Sequence, residues 1–291
     1  MKWTPGYKSD NVEDRRGQGG GGGGMSLGGI GMLAWLFKLF GLPGLLIGGA
    51  IMFFGSGLLS SGGSSAPATG GQSATATQNG SDGSDFVGFV LDDVQKTWST
   101  AFAAGNQRYR EASLVIFDGR TRSGCGTGAA EMGPFYCPVD QKVYIDLSFY
   151  RELKQRFGAP GDFAQAYVIA HEVGHHVQHL LGLDRKVSQA ARGEQTGADA
   201  LSVRLELQAD CLAGAWARAS EKRDLLDPGD IDEALKAAAA IGDDRLQQQG
   251  AGSVTPETWT HGSSAQRQRW FKRGYEQGTI EGCDTFGASQ L

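Results

Sequence analysis

The residues with the clearest chemical potential lie in the stretch Ala170-His171-Glu172-Val173-Gly174-His175-His176-Val177-Gln178-His179. His171 and His175 are four apart, so on a helix they stand about 40° apart on one face and both imidazoles can reach one ion. Glu172 lies about 100° round from His171, close enough to hold a water beside that ion without ligating it. Two nitrogen ligands, an open coordination position and a carboxylate base are the parts of a Zn²⁺-assisted hydrolytic site. The pattern is short enough to arise by chance. The rest of the chain must therefore supply a helix, a third ligand and a suitable compartment.

Four of the five histidines fall between 171 and 179, and the fifth is His261. His176 points about 100° away from His175 and reads as a hydrogen-bonding or surface residue. His179 stands about 12 Å along the axis from His171, too far to share an ion with it. The extended pattern of the metzincins would need Gly at 178 and His at 181; the chain has Gln178 and Leu181, which excludes that class.

The helix is well specified. Phe163, Ala166, Tyr167, Ala170, Val173, Val177, Leu180 and Leu181 form one apolar face, Asp162 is a candidate N-cap with Gln165 three residues on, and Gly182 ends the run. Gly174 leaves room beside the site for a neighbouring backbone. Downstream, Val203 to Gly214 is also helical in character and places Glu206 and Asp210 on one face. Solvated surface carboxylates are the alternative reading. Against it, Leu205, Leu207, Ala209, Leu212, Ala213 and Trp216 mark this helix as largely buried, where an unpaired carboxylate is costly. Glu206 is the expected third metal ligand and Asp210 the residue that orients a ligand histidine.

The bulk properties fit a single external domain. A net charge of -5 and a pI near 5.6 argue against a nucleic-acid partner. Residues 1–24 are polar, end in a glycine run and are expected to be loose. Residues 25–59 form the expected membrane anchor, with 21 uncharged residues from Leu39 to Leu59 as the span. Lys2, Lys8, Arg15, Arg16 and Lys38 precede the span and no basic residue follows it until Lys96, so the positive-inside rule predicts a cytoplasmic N-terminus. Residues 60–84 read as a flexible linker and 85–291 as the catalytic domain. Within the domain, Phe86, Phe89, Val90, Val94, Trp98 and Phe102 recur at helical spacing. Leu114 to Phe117 and Lys142 to Leu147 read as strands, and Gly133 to Pro138 as an edge that could receive a peptide or simply close a loop. The four cysteines allow three pairings; Cys125–Cys137 is the local loop, which leaves Cys211–Cys283.

The His171–His175 pattern, Glu206-Leu207-Gln208-Ala209-Asp210-Cys211, Thr260 to Phe271 and Asn11 to Gly17 together resemble the bacterial neutral zinc metallopeptidase family across nearly the whole chain. More distantly, the order of motifs is similar to membrane-linked gluzincin peptidases, whose later His and Arg could match His261 and Arg267. The resemblance implies an α+β fold: a mainly helical zincin-like domain with a small antiparallel sheet, preceded by one transmembrane helix. It implies Zn²⁺ on His171, His175 and Glu206, with Glu172 as general base. His261 or Arg267 would stabilise the oxyanion. Their structural alternatives are a helix cap at Ser263 for His261 and a carboxylate partner for Arg267. The expected protein is a single-pass peptidase of the bacterial inner membrane, its domain extracytoplasmic and its substrate a protein or peptide. An inactive, zinc-stabilised, membrane-tethered binding module is the rival, as is a zinc hydrolase acting on other amides or esters.

Overall fold

The computed structural model describes residues 1–17, 83–155, 158, 161–190, 196, 197 and 199–291. The expected anchor at 25–59 lies outside the described residues, and of the expected linker at 60–84 only Gly83 and Ser84 are described, where a helix already begins. Among those described, no helix is long and apolar enough to cross a membrane.

Helix α1 (Ser84–Ala104) starts after Gly83, whose φ of 89° suits glycine, and turns Phe86, Val90, Leu91, Val94, Trp98 and Phe102 into the core. Strands β2 (Ser113–Phe117) and β6 (Lys142–Asp146) are the centre of a four-stranded sheet and run parallel, with Leu114 opposite Val143 and Ile116 opposite Ile145. Strand β5 (Phe135–Cys137) pairs antiparallel with β6 and forms one edge; β1 (Val12–Asp14) pairs parallel with β2 and forms the other. A separate antiparallel hairpin, β3 (Arg120–Ser123) and β4 (Gly126–Ala129), branches from the β2–β6 connection. The expectation of a small antiparallel sheet is therefore corrected: three of the four main strands are parallel. The physical reason is connectivity. Helix α1 carries the chain back across the sheet before β2, and the β3–β4 hairpin with β5 does so before β6.

The N-terminal segment also departs from expectation. Residues 1–17 pack onto the domain. Lys8 Nζ and Gly6 N reach Asp85 at 2.9 and 3.0 Å, while Tyr7, Ser9 and Asn11 all donate to Asp92. Trp3 sits edge-on to Phe86 at 5.4 Å. Composition hid this arm because its docking uses side-chain hydrogen bonds and a three-residue strand, neither of which needs an apolar run. Residues 1–17 and the domain therefore form one packed unit, joined through the β1–β2 ladder.

Helix α2 (Ser148–Gln155) leads to the central helix α3 (Asp162–Leu180), and α4 (Leu183–Ala190) follows the turn at Gly182. Asp162 is the first helical residue and not the cap. Gly161 holds that place, and Glu233 accepts the Phe163 N–H at 3.2 Å. The remaining helices are α5 (Leu201–Lys222), α6 (Asp230–Ala240), α7 (Asp243–Ala251) and α8 (Ser264–Gln277). Helix α3 lies between α1, α5 and α6, with Phe163 stacked on Trp216 at 5.4 Å. A Cβ on Gly274 of α8 would fall 1.8 Å from the Cys211 carbonyl of α5, so these two helices cross at a distance only glycine permits. Two disulfides close the structure: Cys125–Cys137 ties the β3–β4 turn to β5, and Cys211–Cys283 ties α5 to the C-terminal segment.

Candidate metal centre

The site forms where α3 crosses α5. The crossing is close because a Cβ on Gly174 would meet the Ala209 backbone at 3.1 Å, as the placement of Gly174 in the sequence suggested. It brings Glu206 of α5 to the two histidines of α3. His171 Nε2 lies 3.3 Å from Glu206 Oε2, and His175 Nε2 lies 3.5 Å from Glu206 Oε1. The three donor atoms all fall within 4.8 Å of one another. Two imidazole nitrogens and a carboxylate gathered this closely are a donor set that suits Zn²⁺.

The outer atoms of both rings are held. His171 Nδ1 donates to Asp210 Oδ1 at 2.9 Å, and His175 Nδ1 donates to Gln178 Oε1 at 2.9 Å. Each bond fixes the tautomer that aims an Nε2 lone pair at the centre. Gln178 is held in turn by the Leu205 carbonyl at 2.7 Å and by Gln208. Sequence reasoning used Gln178 only to exclude another class; its i+3 position from His175 was the available signal for this role.

Asp210 is fully buried and anchors a network. Arg267 of α8 meets it through Nε at 2.9 Å and Nη2 at 3.0 Å, and Tyr167 Oη donates to it at 2.5 Å. Burial opposes ionisation of Asp210, but Arg267 and His171 outweigh it and lower its pKa. Burial likewise opposes a charged His171. Asp210 and Glu206 prevail and push its pKa up to about 10. Glu206 is held ionised against its burial by His175 and His171, and also by His261.

Glu172 is 8% exposed and takes no hydrogen bond or ion pair among the described residues, so its carboxylate is available to a water. His261 approaches from the connection between α7 and α8, near enough to Glu206 for each to favour the other's charged form. Its Nδ1 lies 3.1 Å from Asp243 Oδ1. The other carboxylate oxygen of Asp243 accepts the backbone N–H groups of Thr260, His261 and Gly262 at 2.7, 2.7 and 3.1 Å. Asp243 thus shapes the loop and orients the ring. It escaped the sequence reading because nothing local links it to a histidine 18 residues later. His261 does not cap α8: Ser263 does, in a capping box with Gln266. Arg267, with 2% exposure, is engaged by Asp210 and Tyr167. These contacts place it behind His171, through the Asp210 that the imidazole shares. His176 and His179 stand apart from the centre. His176 lies between Tyr136 and the Arg110 carbonyl, and His179 bonds Asp184 at 2.7 Å.

The family model described as "Putative neutral zinc metallopeptidase" matches residues 1–286. The chain belongs to that family. It is 46% identical to the uncharacterized protein YpfJ of Escherichia coli strain K12, over 99% of this chain and all of that one. The uncharacterized protein Rv2575 of Mycobacterium tuberculosis strain H37Rv is 49% identical over 63% of this chain and 65% of its own length. No solved structure matches. The family match includes the docked arm, α3, α5 and the His261 loop, so the arm falls within the family's extent along with the metal centre.

Proposed function

We propose that this chain is a zinc-dependent peptidase attached to the bacterial membrane, with its catalytic domain on the extracytoplasmic side. One observation carries the reading: donor atoms of His171, His175 and Glu206 converge within 4.8 Å of one another, with an unencumbered carboxylate, Glu172, on the same helix as the two histidines. When bound, zinc supplies Lewis acidity, which polarises a carbonyl and lowers the pKa of water. Glu172 accepts the proton of the attacking water and can pass it on to the leaving amine. His261, its Nδ1 directed to Asp243, presents Nε2 as the hydrogen-bond donor to the carbonyl oxygen as charge develops there. Metal ligation alone would not require Glu172, which favours an enzyme over an inert zinc-stabilised module.

A peptide substrate is supported by β5, an edge strand beside α3 that joins it through Tyr136 Oη and His176 Nδ1 at 2.9 Å. Two disulfides support an oxidising compartment, and the uncharged run at 39–59 supports membrane attachment. The net charge of -5 gives no support to a nucleic-acid partner.

The test is Glu172→Gln. The variant should retain one zinc per chain and lose casein cleavage by about 10²–10⁴-fold. Cleavage equal to the parent's would overturn the mechanism. A parent that binds zinc stoichiometrically and cleaves no peptide in a diverse library would establish the binding module instead.

A further inference from the structure

We propose that the end of the domain formed by the C-terminal tips of β1, β2 and β6 faces the lipid bilayer, and that residues 1–17 and 83–291 lie on the same side of it. The proposal rests on the membrane attachment inferred above and changes its topology: the chain leaves the described domain at Gly17 and rejoins it at Gly83 on one side of the bilayer.

The first observation is the docked arm. Strand β1 shares the parallel ladder with β2 through Val12, Glu13 and Asp14. Glu13 also reaches Lys142 of β6 at 2.8 Å, two strands away. Lys8 pairs with buried Asp85, and Asp92 collects three donors from the arm. A contact set that combines backbone ladder, ion pairs and aromatic packing cannot form across a membrane.

The second observation is where the chain departs and returns. Gly17 N donates to Asp118 Oδ2 at 3.2 Å, just past the end of β2. Gly119 N in the same turn donates to Asp146 Oδ2 at 2.7 Å, at the end of β6. A Cβ on Gly83 would stand 3.6 Å from Leu147 Cδ1, the next residue along. Both ends of the intervening segment are thus fixed at one end of the sheet. That segment contains the 21 uncharged residues 39–59. The same end exposes Met132 at 45%, in a turn whose Ala130 N–H bonds the Gly119 carbonyl. An apolar run tethered at both ends to one end of a domain brings that end to the hydrocarbon it enters.

All four cysteines are in disulfides, so a single introduced thiol is a clean reporter. Thr4→Cys on the arm and Ser99→Cys on α1 are both exposed positions. In spheroplasts expressing the full chain, a membrane-impermeant maleimide should label both before lysis. Labelling of one before lysis and of the other only after it overturns the proposal. Labelling of both only after lysis keeps the shared side and overturns the extracytoplasmic location instead. For orientation, Arg120→Cys lies at the proposed membrane end and Ala104→Cys at the far end of α1. With a fluorophore on each, in vesicles carrying nickel-chelating headgroups, the label at 120 should lose more fluorescence. Equal or reversed quenching overturns the membrane-facing assignment, whatever the catalytic activity proves to be.

Discussion

Two histidine–aspartate pairs flank the candidate metal position, and they are built to opposite specifications. His171–Asp210 is closed. Asp210 is wholly buried, Arg267 and Tyr167 occupy its remaining lone pairs, and the imidazole is 7% exposed. His261–Asp243 is open. Asp243 is buried beneath three backbone N–H groups, but the imidazole it holds is 45% exposed at its side chain. A ligand histidine must keep one tautomer and one direction, and a sealed, charge-compensated partner provides both. A histidine that meets substrate must be reachable from outside, so its carboxylate anchors only the inner nitrogen. Under the proposed mechanism the same pair of residue types serves two roles, divided by which atoms are left to solvent.

The largest break in this comparison should come from the closed pair. Asp210→Ala strands the Arg267 guanidinium, 2% exposed, without its counter-ion. Removing one partner of a buried pair costs about 3–5 kcal/mol. Loss of an outer-sphere partner also weakens a metal site by about 10–100-fold. Denaturant unfolding and zinc titration measure the two effects, and a stability loss under about 1 kcal/mol would mean that Arg267 has another partner. The open pair should behave differently. His261→Ala should leave zinc stoichiometry and fold intact and lower kcat/KM by about 10²–10³-fold, the range for one oxyanion donor. If His261→Ala loses zinc, the histidine is a ligand and the contrast between the pairs fails.

A smaller effect is expected from Asp243→Asn, which keeps the loop's backbone acceptor but removes the charge beside Nδ1. Partial burial pulls the His261 pKa down; Asp243 and Glu206 more than offset this and raise it. Removing the Asp243 charge lowers the pKa again, so the protonated donor is lost at lower pH. The alkaline limb of the rate profile should move toward acid. A limb that stays in place would show that His261 is not the group it reports.

The helix, the two histidines and the glutamate were legible in the sequence because their information is local: spacing on a single helix fixes which side chains share a face. Glu206 was legible through one further step, since a carboxylate among apolar neighbours calls for a partner. Counting limited the four cysteines to three pairings, and the fold selects the one with the local Cys125–Cys137 loop. The parallel sheet was not legible, because short strands separated by a hairpin do not reveal which way they run. Nor was the docked arm, whose contacts with Asp85 and Asp92 join residues about eighty positions apart and use polar atoms that composition counts as solvated. The two orienting residues that were missed, Gln178 and Asp243, show the same boundary. Gln178 acts within its helix and could have been found; Asp243 acts through a loop whose course only the fold determines.

The smallest expected effect sharpens the open pair. Thr260 Oγ1 lies 2.9 Å from His261 Nδ1, slightly nearer than Asp243 Oδ1 at 3.1 Å. A ring with its Nε2 committed to substrate has one proton at Nδ1, and two acceptors cannot both own it. The carboxylate should win, because a hydrogen bond to a charged acceptor is about twice as strong as one to a neutral hydroxyl. Thr260→Val should then cost no more than about 0.5–1.5 kcal/mol of transition-state stabilisation, about tenfold in kcat/KM at most. It should leave the alkaline limb where it is. If Thr260→Val instead shifts that limb as far as Asp243→Asn does, the hydroxyl is the true partner of Nδ1. Asp243 would then act only on the loop backbone, and the two flanking pairs would no longer be counterparts.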